Sequence, residues 1–440
     1  MKTAKLAIDG GPKAVKSLGP YRSKIHTKEL IELLDLWEFP AGVREKIERL
    51  VEKNADAIKG PHLFRYYNPR PSKVAEAEKA MAKLIGSRHV LAVNSCTSAL
   101  VAALRALGVG AGDEVIVPAY TFFASASVVG ASNAVPVIAD IDDTLTLDPK
   151  DVEQKISQRT RAIIVVHMRG MSAQMDEIMK IARKHRVPVI EDVAQAAGGS
   201  YKGRMLGSIG TMGCFSFDYY KLVNCGEGGF VTTDDEWLYT RAQSWHDCAA
   251  CWRPNRFASE RREGELFCGE NYRMSELQGA VAVAQIRQAR TFLKGYRAAK
   301  NRIISKLRLP EGVRLQRVAD PQGDTGTNLI MFMPDVATTR RALAAMQAEG
   351  VPAGGIYDHT VKDWHVYAYW EHILDKKAVA KDGLPWTGMP AKELPRYSKD
   401  MCPRCMDYLS RSLIFELNWQ FSKADCDAIA AGINKVLAVI

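Results

Sequence analysis

The feature that most constrains this chain is a rhythm. From Ser72 to Asp192, short runs of Val, Ile and Ala alternate with segments whose apolar residues recur at helical spacing. Strands that are apolar at every position, not at every second one, need cover on both faces, and a mostly parallel, doubly wound sheet supplies it. The spacing predicts helices over 73–85, 97–107, 123–130 and 175–185, and strands over 89–93, 114–118, 135–140, 161–167 and 187–192. After Gly229 the texture changes: 236–246 reads as a helix and 274–307 as one long helical stretch able to bridge two domains. A strand at 328–333, a helix at 339–350, a strand at 351–357, an irregular segment rich in Pro, Trp and Tyr and a final helix from Ser422 then read as a small α/β domain. The first sixty or so residues lack a sheet pattern and are expected to form an arm with one or two helices. The expected division is an arm over 1–60, a large domain over 61–290 and a small C-terminal domain over 291–440, with no internal repeat or low-complexity tract.

Composition narrows the function. The net charge is +10, but Lys and Arg are dispersed among acids, so no run reads as a nucleic-acid or membrane tail, and a basic surface suits anionic small molecules. The N-terminus has no apolar stretch of signal-peptide length and no apolar run is long enough to span a bilayer, so a cytoplasmic location is expected. Nine cysteines in so long a chain fit free thiols in a reducing compartment. The pairs Cys248-Ala-Ala-Cys251 and Cys402-Pro-Arg-Cys405 have the internal spacing of zinc ligands, yet they lie far apart and lack the glycines of a knuckle, so no metal is expected.

In open α/β sheets ligands bind beyond the carboxyl ends of the strands, and four polar clusters fall there. Asn94-Ser95-Cys96-Thr97-Ser98 joins a strand to a helix; its hydroxyls and backbone N–H groups suit a phosphate, or simply cap the helix. Glu191-Asp192-Val193-Ala194-Gln195 ends an apolar strand in two carboxylates, and a buried acid needs a cationic partner, a salt bridge or a metal. Phe215-Ser216-Phe217-Asp218-Tyr219-Tyr220-Lys221 precedes a glycine-rich turn, Gly226-Glu227-Gly228-Gly229, where a partly desolvated lysine can act as a nucleophile, although most lysines are surface charges. Gly269-Glu270-Asn271-Tyr272-Arg273-Met274-Ser275 precedes the long helix, with Asn271 or Ser275 as its cap.

With Pro118-Ala119-Tyr120-Thr121-Phe122 added, the order and spacing of these clusters resemble the sugar aminotransferase family, the DegT/StrS group, from about Lys5 to the C-terminus. The resemblance implies a fold type I transferase dependent on pyridoxal phosphate (PLP), with a large domain of mostly parallel sheet flanked by helices and a small α/β domain. It implies that Lys221 carries the cofactor as a Schiff base and then shuttles the proton, and that Asp192 pairs with the pyridine nitrogen. Phe122 would stack on the ring, Gln195 approach its phenolic oxygen, and Thr97, Ser98 and Ser216 hold the phosphate. Asn271 would reach the phosphate of a neighbouring subunit, which implies a homodimer with shared active sites. The implied reaction is amino transfer from glutamate or glutamine to a keto-sugar or keto-cyclitol in secondary metabolism. Elimination, dehydration or decarboxylation on the same cofactor is the alternative class. The family's sugar dehydratases replace the lysine by histidine, so Lys221 argues against that branch, and a non-catalytic regulator has no need of Lys221, Asp192 and Gln195 together.

The chain departs from the family pattern at Cys96, where a glycine is usual and a side chain is expected to crowd the phosphate turn. Arg169 stands where many members carry an aromatic, Ala197 replaces a common histidine, and Asp218-Tyr219-Tyr220 is uncommon before the lysine. These departures are expected to remodel the acceptor pocket. The opening Ala7-Ile8-Asp9-Gly10-Gly11-Pro12 is similar to that of members that aminate cyclitol ketones.

Overall fold

The computed structural model describes residues 5–18, 23–61, 63, 71–251, 258–355, 357 and 362–440. The chain divides into two compact units, Met1–Phe64 and Arg65–Ile440. In the first, α1 (Thr27–Asp35) and α2 (Ala41–Lys53) are clamped by Arg44, which donates two hydrogen bonds of 2.9 Å to Asp35.

The second unit begins with α3 (Lys73–Ile85), β1 (His89–Val93), α4 (Cys96–Ala106), β2 (Glu114–Pro118), α5 (Ala124–Ala131), β3 (Val135–Ala139), α6 (Pro149–Lys155) and β4 (Thr160–Val166). It continues through α7 (Met175–His185), β5 (Val189–Asp192), the hairpin β6 (Ser200–Tyr201) and β7 (Arg204–Met205), β8 (Met212–Ser216), β9 (Gly229–Thr233), α8 (Glu236–His246) and α9 (Glu276–Ile304). Seven strands form one sheet in the order β1-β9-β8-β5-β4-β2-β3. Every pairing is parallel except those of β9, which runs antiparallel to both β1 and β8.

The uninterrupted apolar runs have the predicted cause. On β4, Ala162, Ile164 and Val166 enter the core under α4, α5 and α8, whereas Ile163 and Val165 enter the core under α3, α7 and α9. Period-two alternation thus places an apolar side chain on each face in turn, and both faces are covered.

The rest of the unit holds β10 (Arg314–Leu315), β11 (Asn328–Phe332), α10 (Val336–Ala348), β12 (Ala353–Gly355), α11 (Glu371–Leu374), α12 (Pro403–Ser410), β13 (Ser412–Glu416) and α13 (Lys423–Leu437). Its sheet, β10-β11-β13-β12, is antiparallel throughout and packs on α10, α13 and the last turns of α9. Helix α9 buries Ala282 to Phe292 against the large sheet and Ala299 and Ile303 against the small one. Of its two expected caps, Ser275 is the one used, in a capping box with Gln278. Strand β12 is shorter than the predicted 351–357, of which residue 356 lies outside the described residues. Strands β9 and β13 carry no prediction: β9 follows directly on a glycine turn, and β13 lies inside the stretch read as irregular.

Candidate active site

Strand β5 ends in Glu191 and Asp192, and the pleat sends them to opposite faces. Glu191, fully buried, accepts backbone N–H groups from Gly207 (2.9 Å), Ile209 (2.7 Å) and Gly210 (2.6 Å), and its Oε2 lies 2.9 Å from His167 Nε2. The Ala173 N–H, which can only donate, meets His167 Nδ1 at 3.1 Å, so His167 carries its proton on Nε2 and gives that hydrogen bond to Glu191. Burial pushes Glu191 up, but His167 and the backbone donors outweigh it and hold the carboxyl below its ordinary range. Glu191 is therefore an anchor for the 207–210 turn.

Asp192 faces the other way. It is 5% exposed; Oδ2 accepts from Ser125 Oγ at 2.8 Å and Oδ1 from the Ala194 N–H at 3.0 Å, with Cys96 Sγ 3.9 Å from Oδ1. Burial pushes its pKa above the ordinary value, and Ala194, Ser125 and the Lys221 charge offset this only in part. Sequence reasoning missed Ser125; it is fully buried in α5 and bonded to Thr121 one turn back at 2.8 Å, and its partnership with Asp192 joins residues far apart in the chain.

Ser95 caps α4, accepting the Ser98 N–H at 3.1 Å, with Cys96, exposed Thr97 and buried Ser98 in the first turn. Beside this turn runs β9, and only a glycine fits there: a Cβ on Gly229 would lie 2.5 Å from the Ser95 carbonyl carbon and 2.6 Å from its oxygen. Buried Ser216 ends β8 and accepts the Asp218 N–H at 3.3 Å. Lys221 sits in the following turn, where its N–H bonds the Asp218 carbonyl at 3.0 Å, and its ammonium acts electrostatically on both Asp192 and Cys96.

Phe122, 50% exposed, follows β2, its ring 5.5 Å from that of His365. Gln195 Oε1 accepts the Arg169 N–H at 3.1 Å, which leaves Nε2 as the donor end of the amide. Asn271 is exposed; its Oδ1 accepts the Arg273 N–H at 3.2 Å, and it makes no described contact with the Asp192 cluster. Arg273 pairs with the end of β1, just before the Ser95 turn. The structure thus gathers Asp192, Lys221 and the start of α4, links Gln195 to Arg169 and Phe122 to His365, and leaves Asn271 on the surface. Ala197 is buried in the core under α3, α7 and α9.

This set suits a planar group with a cationic nitrogen at Asp192, an aromatic face against Phe122 and an anion at the start of α4. Among the described residues no three His, Cys, Asp or Glu side chains converge as metal ligands, and no helix is long and apolar enough to cross a membrane. Cys402 and Cys405 are buried at the start of α12, and burial pushes the Cys402 thiol up to about 12.

The fold is that of an aminotransferase. The solved aminotransferase from Psychrobacter cryohalolentis superposes with a TM-score of 0.71 at 25% identity, over 91% of this chain and 97% of that one. A GDP-perosamine synthase of Caulobacter vibrioides is 40% identical over 232 residues, 52% of this chain and 60% of the relative. An L-glutamine:2-deoxy-scyllo-inosose aminotransferase of Micromonospora echinospora is 39% identical over 257 residues, 57% of this chain and again 60% of the relative. The profile of the DegT/DnrJ/EryC1/StrS aminotransferase family matches residues 68–381, and the chain belongs to that family.

Proposed function

We propose that the protein is a PLP-dependent aminotransferase that moves an amino group from glutamate or glutamine onto a keto-sugar or keto-cyclitol in secondary metabolism. The observation that carries this reading is Asp192, a carboxylate whose burial disfavours its charge, placed at a strand end beside Lys221 and the start of α4. A cationic ring nitrogen is the partner such a group needs. PLP, when bound, supplies an electron-withdrawing ring that labilises the bonds at the amine-bearing carbon of the substrate.

Asp192 would keep the ring nitrogen protonated, and half-exposed Phe122 would cover one ring face. Gln195 Nε2, its other end fixed by Arg169, would donate to the ring oxygen. Thr97, Ser98 and Ser216, with the first N–H groups of α4, would hold the phosphate. Lys221 Nζ would carry the cofactor and, once released, take the proton from the substrate carbon and deliver it to the carbon on the other side of the amino nitrogen. The acceptor class and the glutamine donor rest on the names of the relatives, a perosamine synthase and a glutamine-dependent inosose aminotransferase. We also propose a homodimer in which exposed Asn271 faces the partner's site; Tyr219, Tyr220, Leu277 and Val281, all exposed, would be covered in it.

The test is the absorbance of the PLP-reconstituted protein. Glutamate or glutamine should bleach the visible cofactor band, and a keto acceptor should restore it. No band after reconstitution, or a Lys221→Ala variant that still retains borohydride-fixed cofactor, overturns the reading.

A further inference from the structure

Helix α9 carries six Lys and Arg residues, and they divide into two groups. Arg287, Lys300 and Arg302 each pair with a carboxylate, those of Glu76, Asp324 and Asp427 respectively. Arg290, Lys294 and Arg297 form no ion pair among the described residues, and all three line one cavity of about 440 Å³. We propose that this cavity is a second binding site, for an organic diphosphate, separate from the candidate active site.

The three positions are four and three residues apart, so they project from one face of α9 in a row about 10 Å long. Like charges at that spacing repel, and an anion between them removes the penalty. The acids of the adjoining 320–324 turn are engaged elsewhere. Asp324 serves Lys300 and the Gly326 N–H at 2.8 Å, and Asp320 accepts the N–H groups of Lys202 at 2.7 Å and Gln322 at 3.1 Å. Arg297 is fixed to that turn through carbonyls alone. Its Nε donates to the Asp324 oxygen at 2.7 Å and Nη2 to the Gly323 oxygen at 3.4 Å, which leaves Nη1 for a ligand. Ser200, at the start of the β6 hairpin, adds a hydroxyl that makes no hydrogen bond among the described residues.

Two guanidinium forks and an ammonium match phosphate oxygens, and a row of this length can take more than one phosphate. The rest of the wall is apolar, made by Leu84, Met205 and Leu293. A bare inorganic anion leaves that wall in water, whereas the organic body of a diphosphate covers it. The volume falls in the range of small-molecule sites, roughly 300–1,000 Å³, which favours a small anion over a polymer.

Leu84 and Met205 pack on the core under α3, α7 and α9. Helix α5, whose Ser125 holds Asp192, packs on the other face of the sheet. The cavity is therefore distinct from the site proposed for PLP, and the inference does not depend on the aminotransferase reading.

The probe is ADP, with adenosine and inorganic pyrophosphate as its two halves, titrated calorimetrically into PLP-saturated protein so that the proposed phosphate turn is already filled. ADP should bind at least about tenfold more tightly than adenosine and about threefold more tightly than pyrophosphate. Arg290→Gln and Lys294→Gln, both at exposed positions, should each weaken ADP binding about fivefold while leaving the visible band and the melting temperature unchanged. Arg287→Gln removes the same charge from the same helix at a position paired with Glu76, and should change ADP binding by less than about twofold. Equal binding of ADP and adenosine overturns the proposal. So does a loss in Arg287→Gln as large as that in Arg290→Gln, the mark of a general surface field. Pyrophosphate binding as tight as that of ADP overturns the assignment of an organic ligand. A single-stranded oligonucleotide that binds more tightly than ADP, with the same loss in Lys294→Gln, overturns the proposal in favour of a polymer. A protein that forms no visible band overturns the aminotransferase reading alone, and the same titrations in the cofactor-free protein then decide this one.

Discussion

Adjacent carboxylates on one strand should give opposite phenotypes when made neutral. Glu191→Gln puts an amide where four donors converge, the Gly207 N–H and His167 Nε2 on one oxygen and the Ile209 and Gly210 N–H groups on the other. Whichever way the amide turns, two buried donors face an NH2 group. At about 1–3 kcal/mol for each unsatisfied donor the cost is roughly 2–6 kcal/mol, a large part of a total stability of about 5–15 kcal/mol. Asp192→Asn is milder. The retained oxygen can accept the Ala194 N–H, and the Ser125 hydroxyl can rotate to accept from the new NH2, so the expected cost is about 0–1 kcal/mol.

The pH dependence separates the two further. Glu191 is held below its ordinary 4.5, so its contribution is fully present above that value and is lost as pH falls through the folded pKa. Asp192 is raised above 3.8, so the folded cofactor-free protein binds this proton more tightly than the unfolded chain does. That protein loses stability as pH rises from 3.8 through the folded pKa, and Asp192→Asn removes that slope. Urea unfolding of cofactor-free protein at neutral pH, followed by circular dichroism, measures the first effect, and PLP titration by absorbance measures cofactor affinity. Glu191→Gln should lower the urea midpoint, while Asp192→Asn should leave it nearly unchanged and weaken PLP binding. If Asp192→Asn destabilises the protein as much as Glu191→Gln does, or if Glu191→Gln keeps the wild-type midpoint, the division of roles is refuted.

Other outcomes follow from the same geometry. Phe122→Leu should weaken PLP binding by about 1 kcal/mol through lost ring contact while leaving thermal stability nearly unchanged, because the ring is half exposed; fluorescence titration and a melting curve read the two. Glu276, at the start of α9, accepts Ser72 Oγ at 2.5 Å and the Lys73 N–H at 2.6 Å at the start of α3, so Glu276→Ala should cost about 2 kcal/mol in urea unfolding. Burial, and then the Asp192 charge, raises the Cys96 thiol well above its ordinary range, so iodoacetamide at neutral pH should label exposed Cys248 and Cys268 first, as peptide mass mapping would show.

What the sequence discloses depends on whether a residue's neighbours are local. Strands β1 to β5 are legible because cover on both faces leaves runs such as Ala-Ile-Ile-Val-Val with no polar interruption. Strand β9 is not, since Gly-Phe-Val-Thr-Thr follows a glycine turn and its pairing partners, β1 and β8, are set by topology. Asp192 is legible as a strand end, and the pleat implies that Glu191 points away. Which of the two faces the site depends on where α4 and α5 pack. The partnership of Phe122 with His365, and of Arg169 with Tyr120, joins segments distant in the chain, and no local pattern encodes either.

Cys96 and Gly229 border the same turn but differ in what their backbones demand. Cys96 is the first residue of α4, has no positive φ, and directs its sulfur toward Asp192. Space is demanded from the strand behind, where a Cβ on Gly229 would collide with the Ser95 backbone at 2.5 and 2.6 Å. Backbone cannot rotate away as a side chain can, so Gly229→Ala must displace either β9 or the turn that caps α4. Cys96→Gly removes only a side chain from the first turn of a helix whose cap, Ser95, stays in place. PLP affinity should therefore fall at least about tenfold further in Gly229→Ala than in Cys96→Gly. The reverse order, measured by absorbance titration, would return the steric constraint to Cys96.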